Sequence, residues 1–216
     1  MTDATHDAPA RHVEVLAGPA NLNALYAKAA RPGGGGSGDT LPTTRVERHG
    51  VTLDREHIAA FARVCGFRLT DALPATYLHM LAFPLQIHLM TSGGFPFPLL
   101  GMVHLRQRLD LQRAVTADES VDVAVWLEDL RPHAKGRQLT VRSEVSVEGA
   151  VVWLGSSTYL NRGTPNEDAT DETHLSDAVD VAALPRTARW IVQSDIGRRY
   201  GKVSGDRNPI HLSSLT

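Results

Sequence analysis

The 216-residue chain predicts an α+β fold, in which one antiparallel sheet curls around a central buried helix. Three observations carry this reading. A long apolar stretch with helical spacing runs from Tyr77 to Met90. Beyond Pro96 and Pro98 the apolar period changes from helical to two, over three or four long runs. Those runs are joined by short turns, which makes consecutive strands antiparallel.

The elements follow in order. Leu22, Leu25, Tyr26 and Ala29 form a short helical pattern that runs into Gly33-Gly34-Gly35-Gly36-Ser37-Gly38, a run too costly to order and read as a connector. A first strand falls at about Thr43–Val51. Asp54 then suits a helix N-cap, because its carboxylate can accept the unpaired amides of the first turn. Ile58, Phe61, Ala62 and Cys65 follow at helical spacing, and Gly66 can take the left-handed stop. Pro84 bends the Tyr77–Met90 helix or starts it afresh. In the strands, Val103, Leu105, Leu109 and Leu111 alternate with His104, Arg106, Arg108 and Asp110. Val121, Val123, Val125 and Leu127 form a second apolar face, and Leu139, Val141, Val145 and Val147 a third. Glu148-Gly149 turns the chain into Ala150–Leu154. A sheet that is apolar on one face needs a cover, and the helix near Leu81–Met90 supplies it. This is the layout of a hotdog fold.

Composition narrows the function. Lys+Arg 22 against Asp+Glu 24 leaves −2, so no basic field draws the chain to nucleic acid or anionic lipid. Cys65 is the one cysteine, which excludes an intrachain disulfide and a cysteine-based zinc cluster. The start is polar and acidic, unlike a secretory signal. The Leu73–Met90 stretch is interrupted by Pro74, His79, Pro84, Gln86 and His88, so it does not cross a bilayer. A cytoplasmic location is the expectation.

Four segments divide the chain: an extension and Gly-rich linker (1–42), a first hotdog module (43–161), an acidic linker (162–185) and a resumed globular segment (186–216). The last repeats the first module. Phe61-Ala62-Arg63-Val64-Cys65-Gly66-Phe67-Arg68 aligns with Tyr200-Gly201-Lys202-Val203-Ser204-Gly205-Asp206-Arg207 at a constant shift of 139 residues. The helix start at Asp54–Ile58 falls near Ser194-Asp195-Ile196. The second copy thus holds a first strand and a capped helix, and Thr216 comes before its central helix and remaining strands. That incompleteness predicts low activity for the chain alone.

The chemistry lies at the end of the repeat. Asp206 and His211 stand five apart, with Pro209 stiffening the loop between them, so both can face one cavity. A carboxylate and an imidazole that converge on one water can remove a proton from it and return one to carbon. Asn208 can orient the water or hold the loop. The string Ser204-Gly205-Asp206-Arg207-Asn208-Pro209-Ile210-His211 resembles the signature of MaoC-like dehydratases, the (R)-specific (type 2) enoyl-CoA hydratases. The first module resembles the non-catalytic N-terminal hotdog of two-module members. The resemblance implies reversible syn hydration of a trans-2-enoyl-CoA to an (R)-3-hydroxyacyl-CoA. It makes Asp206 and His211 the catalytic pair, with Asn208, Gly205 and Ser204 orienting substrate or water. It implies an acyl-CoA substrate, no metal, no cofactor beyond the CoA of the substrate, and a homo- or hetero-oligomer built through hotdog modules. The alternative is a non-catalytic hotdog subunit that binds acyl thioesters or stabilises a partner hotdog chain.

The first module carries Phe67, Leu69 and Ala72 where the second carries Asp206, Asn208 and His211, and none of the three can move a proton. It reads as a scaffold. Tyr77, Met80 and Phe83, with Met90, Phe95 and Phe97, either line an acyl tunnel or are plain core. His79 and His88 do not share a face at metal-ligand spacing and read as core or surface. His104 alternates onto the solvent face. Cys65 reads as a buried structural thiol. Arg131, His133, Lys135 and Arg137 form a basic turn that either meets CoA phosphates or is a solvated hairpin.

Overall fold

The computed structural model describes residues 11–30, 39–164, 169, 185, 187–189 and 191–206. Its elements run β1 (His12–Val15), α1 (Leu22–Ala29), β2 (Thr44–Val51), α2 (Arg55–Cys65), α3 (Ala75–Met90), β3 (Met102–Leu111), β4 (Val121–His133), β5 (Gly136–Val147), β6 (Ala150–Arg162) and α4 (Ile196–Ser204). The strands form one sheet in the order β1-β2-β4-β5-β6-β3, antiparallel throughout except for the parallel pair β1–β2. α3 packs on the concave side against β2 through β6. This is the helix-in-sheet arrangement of the hotdog fold.

The period-two pattern sets the inner face. Val121, Val123, Val125 and Leu127 on β4 and Leu139, Val141 and Val145 on β5 are all at most 3% exposed. Register pairs Val123 with Val145 and Leu127 with Val141, so neighbouring strands stack their apolar side chains on one side. On α3, Leu78, Ala82, Leu85 and Leu89 recur at helical spacing and join that core. Burying one such leucine contributes roughly 2 kcal/mol by area transfer. Gln86 is also buried; its Nε2 donates to Ser143 Oγ on β5 at 2.8 Å, which ties the helix polar-to-polar to the sheet. α3 passes through Pro84 as one continuous helix.

The helix ends are written locally. Asp54 accepts from the backbone N–H of Glu56 (2.8 Å) and His57 (3.3 Å). Gly66 ends α2 at φ +72°, and its N–H donates to the Ala62 carbonyl. α4 ends in the same way at Gly205, φ +74°, with its N–H on the Gly201 carbonyl. The two caps stand at matching repeat positions, and the rings of the matched Phe61 and Tyr200 meet with centroids 6.2 Å apart. Residues that touch their own repeat counterpart lie on the axis relating the two copies.

Two features differ from the sequence reading. β1 adds a parallel edge strand from within the 1–42 segment, because four residues paired along one side show no burial alternation. Asp195 makes no side-chain cap bond, since its backbone (φ −96°, ψ 1°) does not hold the extended conformation that aims a capping carboxylate at the first turn. The first strand expected of the second copy, at the positions matching 43–51, lies mostly outside the described residues. No helix among the described residues is long and apolar enough to cross a membrane.

Candidate active site

α3 is apolar on more than one side, and part of its surface borders a cavity beside β3. Met80, Phe83, Ile87 and Met90 line a cavity of about 660 Å³, with Leu99 and Met102 also in its wall. The polar groups in its wall are Tyr26, His79, His104, Gln107, Tyr159, Tyr200, Ser204 and Asp206. One chamber therefore joins an apolar pocket to a cluster of titratable groups. Such a volume holds a ligand of drug-like or acyl-chain size.

The repeat helix delivers Asp206 to this wall. Ser204 Oγ donates to the Tyr200 carbonyl (2.9 Å) and accepts from the Asp206 N–H (3.1 Å). The αL turn at Gly205 reverses the chain between them; a side chain there would meet strain at φ +74° and press on Leu22. Ser204 and Gly205 thus fix where Asp206 begins. Its Oδ1 accepts from the Tyr26 hydroxyl at 3.3 Å, across 180 residues of sequence. Asn208 and His211 lie outside the described residues.

Burial governs the titratable groups in this wall. Burial lowers His79 from the ordinary 6.5 to about 4, helped by His104 and opposed by Asp206. His104 is lowered in the same direction by burial, and its ring stacks on Tyr159 with centroids 4.6 Å apart. Burial pushes the Tyr159 phenol up, and the Asp206 charge adds to it. Both imidazoles are neutral near pH 7.

The structure sorts the tunnel candidates. Met80, Phe83 and Met90 line the cavity. Tyr77 is turned to α2 instead: its hydroxyl meets His57 Nδ1 at 3.0 Å and its ring packs edge-on against Phe61. Burial, with the Asp54 charge, pushes that phenol up to about 12. Phe95 and Phe97 pack on each other, and the Arg137 guanidinium covers Phe97. His57 Nε2 also bonds the Val203 carbonyl at 2.7 Å, joining α2 to α4.

His104 is exposed, as its alternation predicts, and its ring also borders the cavity, just before the point where the β3–β6 register shifts. His88 pairs with Glu14 on β1 at 2.9 Å. Cys65 is half-buried, and burial raises its thiol. In the β4–β5 turn, Arg137 pairs with Asp39 at 2.8 Å and His133 Nδ1 accepts from the Lys135 N–H. Phe67 and Leu69 of the first module are exposed, and Ala72 bridges to Thr116. Sequence reasoning missed Tyr26, His79, His104 and Gln107 as wall residues. The nearest signal was His79 itself, a polar interruption in an otherwise apolar helix.

No family model matches the chain. It is 31% identical over 183 residues to 3-hydroxyacyl-thioester dehydratase X of Mycobacterium tuberculosis, a match that covers 82% of this chain and 62% of that protein. The crystal structure of HtdX from the same organism superposes with a TM-score of 0.64 at 29% identity, over 78% of this chain and 64% of that one. A MaoC-like dehydratase from Phytophthora capsici shares the fold at 13% identity, with a TM-score of 0.56 over 78% of this chain and 64% of its own. The chain thus spans rather less than two thirds of the length of these relatives. With the hotdog sheet, the duplicated capped helix and the Ser204–His211 string in place, the chain belongs to the MaoC-like hotdog dehydratase family.

Proposed function

We propose that this chain belongs to an acyl-CoA dehydratase/hydratase that adds water reversibly, in syn fashion, to a trans-2-enoyl-CoA, giving an (R)-3-hydroxyacyl-CoA. The observation that carries the reading is Asp206, the acid of the Ser204–His211 string, in the wall of a largely apolar chamber. Hydration needs the water oxygen to bond to C3 while its proton leaves and a proton reaches C2. Asp206 and His211 divide those two transfers, and Asn208 holds the water or the loop. Ser204, Gly205 and Tyr26 are positioning residues for the Asp206 carboxylate. Met80, Phe83 and Met90 take the acyl tail. The first hotdog, 43–161, supplies the chamber wall, and 186–216 opens the catalytic module. Side chains and water suffice for these transfers, with CoA arriving on the substrate. Assembly runs through hotdog modules, for which the edge strand β3 offers unpaired backbone.

The test is hydration of a trans-2-enoyl-CoA, followed by loss of enoyl absorbance, for the chain and for a form extended through a whole second module. Asp206→Asn keeps the shape and removes the base, so turnover falls about 10²- to 10⁴-fold. Unchanged turnover removes the mechanism. Tight acyl-CoA binding without turnover in either form favours the alternative, a hotdog subunit that binds thioesters only.

A further inference from the structure

His79 is a wall residue whose chemistry the proposed reaction leaves unused and whose buried Nδ1 has no hydrogen-bond partner among the described residues. It stands on α3 of the first module, among Met80, Phe83 and Ile87, in the chamber that holds Asp206. Its Nδ1 is sealed from solvent and has no partner among the described residues. A sealed N–H without an acceptor is the costlier of the two orphan states, so the ring proton belongs on Nε2. With Nδ1 shut away, Nε2–H is the donor that meets an occupant. Burial keeps the ring neutral near pH 7, so it donates without adding a charge.

The geometry points to His79 Nε2–H as a donor to the 3-hydroxyl of a hydroxyacyl thioester in this chamber, a binding residue that the first module contributes to the second module's site. A plain alkyl chain would leave that donor unmet in an apolar wall, at the cost of a buried unsatisfied polar group. A hydroxyl satisfies it and still has its own proton to donate, and the carboxylate of Asp206 is the acceptor in the same wall. Asp206 and His79 feel each other electrostatically, and His104 is the other titratable neighbour that acts on His79. The inference rests on the acyl-thioester reading and adds to it. It gives the scaffold module a side chain that tells hydroxyacyl from saturated acyl groups.

The experiment compares, by calorimetry, a 3-hydroxyacyl-CoA with the saturated acyl-CoA of the same length. The wild-type chain, His79→Phe and His79→Gln are measured side by side. The expected wild-type preference for the hydroxy thioester is about fivefold to tenfold, the worth of one buried hydrogen bond. In His79→Phe that preference falls severalfold, to what the Asp206 contact alone supplies, whereas His79→Gln, whose amide nitrogen reaches the place of Nε2, retains most of it. Equal wild-type affinities, or a preference kept in His79→Phe, overturns the inference and leaves the acyl-thioester reading standing. Failure of the wild-type chain to bind either thioester overturns both. If His79→Phe binds neither thioester, His79→Gln decides: a preference kept supports the role, and one lost refutes it.

Discussion

His79 makes the chain sensitive to mild acid, and the size of the effect follows from its surroundings. Folded, the ring titrates at about 4; free in water it would titrate at 6.5. The unfolded chain therefore binds this proton more readily than the folded one. The contribution of a neutral His79 is complete above pH 6.5 and is lost as the pH falls toward about 4. Each pH unit of separation is worth about 1.4 kcal/mol, so acidifying from near pH 7 to near pH 4 removes about 3 kcal/mol through this one side chain. That is a large share of a typical domain's stability. His79→Gln carries no titrating group, so its urea midpoint, read by tryptophan fluorescence, loses about 3 kcal/mol less over the same range. Carboxylates titrate alike in both proteins and cancel in the difference. Equal acid sensitivity of the two would show that the folded ring takes up its proton as readily as the unfolded one, and the account of His79 burial would fail.

Two further substitutions probe the frame around the chamber. Gly155→Ala on β6 drives a methyl into the Trp153 ring on the same inner face, so it destabilises by roughly 1–3 kcal/mol in chemical denaturation; a neutral result means that Trp153 repacks freely. Leu85→Ala on the sheet-facing side of α3, where the leucine is 1% exposed, costs about 2–5 kcal/mol by the same assay, and a loss below 1 kcal/mol would place Leu85 outside the core.

Much of the fold is legible because it rests on local chemistry and period. Asp54 and Gly66 mark both ends of α2, and the alternating valines of β4 and β5 name the inner face of the sheet. The repeat placed a second left-handed cap at Gly205, where the chain has one. What stayed hidden depends on partners far away in sequence. α3 reads apolar all round, so its periodicity does not separate Leu85, which meets the sheet, from Phe83, which meets the chamber. Tyr77 looked equally able to line it, yet His57 and Phe61 claim it. His104 stays exposed yet stacks on Tyr159, a cross-strand contact that alternation along one strand does not foresee. The Tyr26–Asp206 bond joins helices 180 residues apart. The Ser204–His211 string itself is visible as a motif, but the other residues of the cavity wall are not.

The account stands on Asp206 meeting an acyl thioester inside the chamber between α3 and β3. A crystal structure with a non-reacting saturated or 3-hydroxyacyl-CoA measures this directly. The account predicts the acyl chain against Met80, Phe83 and Met90, with the C2–C3 end within about 3–4 Å of the Asp206 carboxylate. A thioester bound on another surface, with the chamber filled by side chains or closed, would contradict it.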